Sequence, residues 1–88
     1  MSWTVYMLRC ADDTIYTGIT TDLERRIKEH NYDDRKGAKY TRARRPVSLA
    51  YYETCTNRAE ASKREYQLKR LDRSQKISLL NPKLKNLA

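Results

Sequence analysis

The spacing of hydrophobic positions along this chain changes character several times, and each change predicts an element. Trp3-Thr4-Val5-Tyr6-Met7-Leu8 and Ile15-Tyr16-Thr17-Gly18 are short runs of aromatic and β-branched residues on either side of Asp12-Asp13. Such runs flanking an Asp-rich turn read as a β-hairpin over residues 3–10 and 15–19. Gly18 closes the second strand, where a missing Cβ permits either an unusual backbone or a close approach. From Thr21 the pattern turns helical: Thr21 offers an N-cap with Glu24 three positions on, and Leu23 and Ile27 give an apolar stripe up to about Asn31. Residues 32–46 show no period and read as a loop, with Gly37 inside it and Pro46 at its end. Val47 to Thr54 is a third strand, with bulk from Leu49, Tyr51 and Tyr52. Thr56 or Asn57 caps a helix running to about Leu71, and Asp72 caps a shorter one from Arg73 to Leu80 that Pro82 stops.

The resulting order is β-β-α-β-α-α, an α/β chain whose three-stranded, mostly antiparallel sheet is flanked by helices. A βαβ arrangement with the second and third strands parallel competes with it, and the hairpin favours the antiparallel form. At 88 residues the chain is read as a single domain over 1–82, with 83–88 a frayed tail. Phe is absent, so seven tyrosines take over the aromatic packing.

Charge changes the picture. The formal net charge is +8, but residues 1–34 hold four Lys/Arg against seven Asp/Glu, whereas residues 35–88 hold fifteen against four. So lopsided a distribution points to a polyanion, since phosphate neutralisation dominates nucleic-acid affinity. The loop concentrates it: Arg35, Lys36, Lys39, Arg42, Arg44 and Arg45 follow Asp34 with no further acid, and Tyr40 is interleaved to stack on a base. No segment combines a basic face with a wide apolar one, and the longest apolar run is only a few residues, so neither a membrane role nor a signal peptide is expected. Cys10 and Cys55, without C-x-x-C spacing, read as buried thiols of a cytoplasmic protein, and a lone His30 cannot complete a zinc site.

Candidate chemistry gathers near the start. Tyr6 and Tyr16 sit ten apart on the two hairpin strands, and the turn between them resets strand parity, so the sequence leaves open whether their rings meet. Arg26 and His30, four apart, share one helix face. Two phenols, a guanidinium and an imidazole beside a basic flank are suited to cutting a phosphodiester. Each residue also has a plainer reading: packed cross-strand aromatics, a solvated arginine, and a histidine favouring its helix C-terminus.

In these residues the chain resembles the GIY-YIG nucleases, and most closely their small stand-alone bacterial branch of poorly defined role. The two signature strands appear as Thr4-Val5-Tyr6 and Tyr16-Thr17-Gly18, followed by Arg26, His30 and a helix carrying Glu65; Asn81 matches a polar position near the domain end. The resemblance spans about residues 3–81. It departs at Thr4, which replaces the first signature glycine, and at Ile19, where some members carry a lysine; Lys39 is the candidate to supply that charge from the loop. It implies an endonuclease-type hydrolase acting on nucleic acid, DNA over RNA, directed by structure instead of sequence unless a protein partner supplies specificity, and working as a monomer. Tyr6 would be general base, Tyr16 its partner or the group that orients the water, Arg26 the phosphate ligand, and Glu65 the ligand of one weakly held Mg²⁺ or Mn²⁺. Glu60 borders Leu71 as Glu65 borders Ala61 and Leu68, so the helical wheel alone leaves two ligand candidates. The alternative functions are a basic nucleic-acid-binding module without chemistry, or an adaptor for an acidic protein.

Overall fold

A computed structural model describes residues 2–80. It contains β1 (Trp3–Arg9), β2 (Ile15–Thr20), α1 (Leu23–Tyr32), a short α2 (Lys39–Arg42), β3 (Ser48–Cys55), α3 (Arg58–Lys69) and α4 (Arg73–Leu80). Asn81, Pro82 and the tail 83–88 lie outside the described residues. The sheet is β2-β1-β3 with both pairings antiparallel, so the strand joined to its neighbours on both sides is the first one. β2 and β3 do not pair, which removes the parallel alternative: α1 and the segment after it carry the chain across to the far edge of β1.

Two sequence expectations are corrected. Asp22, not Thr21, caps α1, because its carboxylate accepts the Arg25 N–H at 3.1 Å. Thr21 is exposed, and its neighbour Thr20 uses its hydroxyl on the Asp22 backbone. The stretch read as a loop holds α2, a single turn with no apolar period, which is why the pattern missed it. The hairpin turn forms as its residues dictate. Asp13 adopts a left-handed φ of 68°, tolerable for Asp, and the Asp12 carboxylate accepts both the Thr14 N–H and its hydroxyl.

Strand alternation divides the core. Val5 and Met7 face α3 and α4 and are fully buried against Ala61 and Leu68. Tyr6 and Leu8 face the other way, toward α1, where Val47, Leu23 and Ile27 pack on them. On the first face Arg64 grips Glu53 at 2.9 Å while Tyr51 donates to the same carboxylate, joining α3 to β3. On the second face the Asn31 amide both donates to and accepts from the Val47 backbone, at 2.9 and 2.7 Å, docking the end of α1 at the entrance to β3. Cys10 and Cys55 are buried free thiols. Among the described residues no helix is long and apolar enough to cross a membrane.

Candidate active site

The site grows from a pairing in the hairpin. Register sets Tyr6 opposite Gly18 and Leu8 opposite Tyr16, so both tyrosines share the α1 side of the sheet. Their ring centroids lie 6.5 Å apart, which settles what strand parity left open. Gly18 has no positive φ; its role is space. A Cβ there would lie 2.6 Å from the Tyr6 hydroxyl and 2.7 Å from Cζ, so the bare backbone is what lets the ring lie across β2.

α1 then delivers two groups. His30 is fully buried and its Nε2 meets the Tyr6 hydroxyl at 2.8 Å, while its Nδ1 meets the Thr41 hydroxyl at 2.8 Å. Its ring also lies edge-on to both tyrosines, 5.9 Å from Tyr6 and 5.1 Å from Tyr16. Burial, then the nearby Arg26 charge, depresses the imidazole pKa to about 4, so it is neutral at physiological pH. Arg26 donates to Glu29 at 3.0 Å and to the Lys36 carbonyl, which fixes its guanidinium beside the phenol. Burial and the neighbouring Tyr16 raise the Tyr6 pKa to about 12, while Arg26 draws it back down and the Glu65 carboxylate adds slightly to the rise.

Glu65 stands apart from this contact network. It is half-buried on the sheet-facing stripe of α3, between Ala61 and Leu68, and α3 packs on the face opposite Tyr6. Its carboxylate pairs with Lys69 at 3.3 Å and reaches Tyr6 through its electric field. Glu60 is engaged elsewhere: it accepts the Thr56 N–H at 3.2 Å while its own N–H donates to Asn57, closing the N-terminal cap of α3. Ile19 packs with the Val5 cluster on the α3 side. Among the described residues no three His, Cys, Asp or Glu side chains gather as a metal cage.

The basic segment separates into two kinds of cation. Arg35, Lys36, Lys39 and Arg42 are exposed, although Arg42 also donates to the Asp34 carbonyl at 2.7 Å. Arg44 and Arg45 are turned inward. Arg45 donates to the carbonyls of His30 and Asp33 and to the Asp34 carboxylate, at 2.6, 3.0 and 2.8 Å. Arg44 pairs with Asp12 at 3.0 Å and lies 3.9 Å over the Tyr40 ring, which itself packs on Tyr16. Tyr40 therefore buttresses the second signature tyrosine, and its ring is already engaged by both neighbours. The sequence reading missed Thr41, Asn31 and the structural use of these arginines, since nothing in the local pattern signals contacts made across such separations.

The family profile described as the GIY-YIG catalytic domain matches residues 2–78. A UPF0213 protein of Desulfotalea psychrophila is 58% identical over 79 residues, covering 90% of this chain and 71% of that protein. Another, from Clostridium perfringens, is 52% identical over 79 residues, covering 90% and 83%. The solution NMR structure of a UPF0213 protein from Bacillus halodurans shares 44% identity and a TM-score of 0.58, over 92% of this chain and 84% of that one. An NMR structure of an E. faecalis protein gives a TM-score of 0.60 at 37% identity, over 100% and 90%.

Proposed function

From the chain's membership of the GIY-YIG nuclease family, which the match over residues 2–78 establishes, we propose that it is a metal-dependent endonuclease hydrolysing DNA phosphodiesters, selected by structure more than by sequence. The observation that carries this reading is the buried Tyr6–His30 hydrogen bond, 2.8 Å long, beside the Arg26 guanidinium. A phenol held at a pKa of about 12 is a poor base alone. Hydrogen-bonded to a neutral imidazole, it can take a water proton while passing on its own. Tyr16 orients that water, and Arg26 binds the scissile phosphate and offsets its growing charge. Glu65, half-buried and tied only to a lysine that a cation would displace, suits one Mg²⁺ or Mn²⁺ completed by waters and phosphate oxygens. When bound, such an ion supplies charge for the leaving oxygen. Arg35, Lys36, Lys39 and Arg42 are the exposed cations available to the flanking phosphates, and a chain this small works as a monomer on this reading.

The raised Tyr6 pKa favours one rival, a basic nucleic-acid-binding module without chemistry. A panel of linear, flap and branched DNA with Mg²⁺ or Mn²⁺ decides between them. Metal-dependent cutting that Glu65→Ala abolishes, with binding retained, supports the enzyme. Salt-sensitive binding without cutting supports the module, and cutting that survives Glu65→Ala removes Glu65 as the metal ligand.

A further inference from the structure

Thr41 is the one member of the buried hydrogen-bonded chain with no part in the reaction described above. It sits on α2, is fully buried, and contacts His30 Nδ1 at 2.8 Å and the Ala38 carbonyl at 3.0 Å. We propose that Thr41 is a positioning residue that holds His30 as the Nδ1–H tautomer, leaving a bare Nε2 to receive the Tyr6 proton.

Two ends of the chain of contacts support this independently. At the Thr41 end, a hydroxyl has one proton and a carbonyl can only accept. The bond to Ala38 uses that proton, so Thr41 meets Nδ1 as an acceptor and Nδ1 carries the hydrogen. At the Tyr6 end, the neighbouring Arg26 has donors only. The phenol proton therefore has His30 Nε2 as its partner, and that nitrogen must be unprotonated. The imidazole is neutral, so one proton on Nδ1 accounts for it completely. His30 and Thr41 are fully buried, so solvent does not compete for the contact between Nδ1 and the Thr41 hydroxyl.

The arrangement fits the proton balance of the proposed reaction. As water gives a proton to the Tyr6 oxygen, the Tyr6 proton moves to Nε2, and the resulting imidazolium keeps its Nδ1–H on Thr41. The hydroxide bonds to phosphorus, the P–O bond to the leaving strand breaks, the departing oxygen takes a proton from solvent, and the proton held on His30 is returned to solvent. This catalytic consequence rests on the nuclease reading, whereas the tautomer is a property of the free protein.

The test reads the tautomer first. Nitrogen-15 NMR of the wild-type protein near neutral pH should show His30 protonated at Nδ1; a signal from the Nε2–H form would overturn the proposal. Thr41→Val keeps the shape and removes the acceptor, and Thr41→Ala removes the hydroxyl should the valine variant fail to fold. Either should move the population toward Nε2–H and lower kcat by on the order of 10²-fold or more with KM little changed, because a misdirected tautomer forfeits general-base assistance. Thr41→Ser should restore both the wild-type tautomer and a rate within a few-fold. An unshifted tautomer in the hydroxyl-free variants sinks the assignment. A shifted tautomer in a protein that cuts nothing sinks the nuclease reading alone.

Discussion

Tyr6 is held from three sides by residues whose types are each explicable. Gly18 gives it room, His30 Nε2 hydrogen-bonds its hydroxyl, and Arg26 stands beside its oxygen. Gly18→Ala inserts a carbon 2.6 Å from a hydroxyl that cannot swing aside without breaking the His30 bond. Overpacking of this kind costs about 1–3 kcal/mol, and thermal denaturation together with loss of the Tyr6–His30 hydrogen bond by NMR would register it. An unchanged melting temperature would show that the ring has slack the geometry does not suggest. His30 carries a pH dependence of definite sign. Its folded pKa of about 4 lies below the unfolded value near ~6.5, so the unfolded chain binds the extra proton between them. Stability contributed by the neutral imidazole is complete above about pH 6.5 and is lost as pH falls toward about 4. Urea denaturation at about pH 7 and about pH 5 should differ by about 2 kcal/mol, and His30→Gln should flatten most of that difference.

At the scale of elements, the segment from Asp33 to Val47 is a clasp as well as a basic surface. Gly37 presses against the end of α1, where a Cβ would meet the Asp33 and Glu29 carbonyls at 2.6 and 2.8 Å. Arg45 ties the segment back to α1 through its bonds to His30, Asp33 and Asp34. Arg44 reaches the hairpin turn through Asp12, and Arg73 of α4 reaches the same turn through Asp13 at 3.1 Å, so the turn anchors elements from both faces. Arg45→Ala should therefore act mainly on stability, by about 1–3 kcal/mol in chemical denaturation, because a half-buried charged donor is lost and its acceptors are left bare. Arg35→Ala, on an exposed side chain, should leave the denaturation midpoint within about 0.5 kcal/mol of wild type. Equal effects from the two would contradict the division into clasp and surface.

For the molecule as a whole, the net charge of +8 and its bias toward residues 35–88 set the expectation for nucleic acid. Affinity should fall steeply with salt, since each phosphate neutralised releases a counterion. Substituting Arg35, Lys36 and Lys39 together should reduce the slope of log K against log salt by up to about 3, with little change in fold. An affinity indifferent to salt would remove the polyanion argument. The fold that presents these cations is a sheet with α1 and α2 on one face and α3 and α4 on the other. Phenols, imidazole and guanidinium lie on the α1 face, and α3 supplies Glu65, whose charge is near enough to raise the Tyr6 pKa slightly.

Local chemistry was enough to determine every element of this protein but α2. Aromatic and β-branched runs placed the strands, Asp12-Asp13 placed the turn, and Asn57 and Asp72 accept the first helical N–H groups of α3 and α4 as expected from their short polar side chains. The ordered set Tyr6, Tyr16, Gly18, Arg26, His30 and Glu65 was likewise legible, because the resemblance carried it residue by residue. Tertiary structure alone decided which of these groups touch. Strand register brought the two phenols to one face, and the fold closed a single unpredicted turn over His30 so that Thr41 could reach its Nδ1. It also turned Arg44 and Arg45 inward while their neighbours stayed exposed. The physical reason is that propensity, capping and turn chemistry act over a few residues. A hydrogen bond between residues 24 apart depends on register and packing, to which the intervening sequence contributes only collectively.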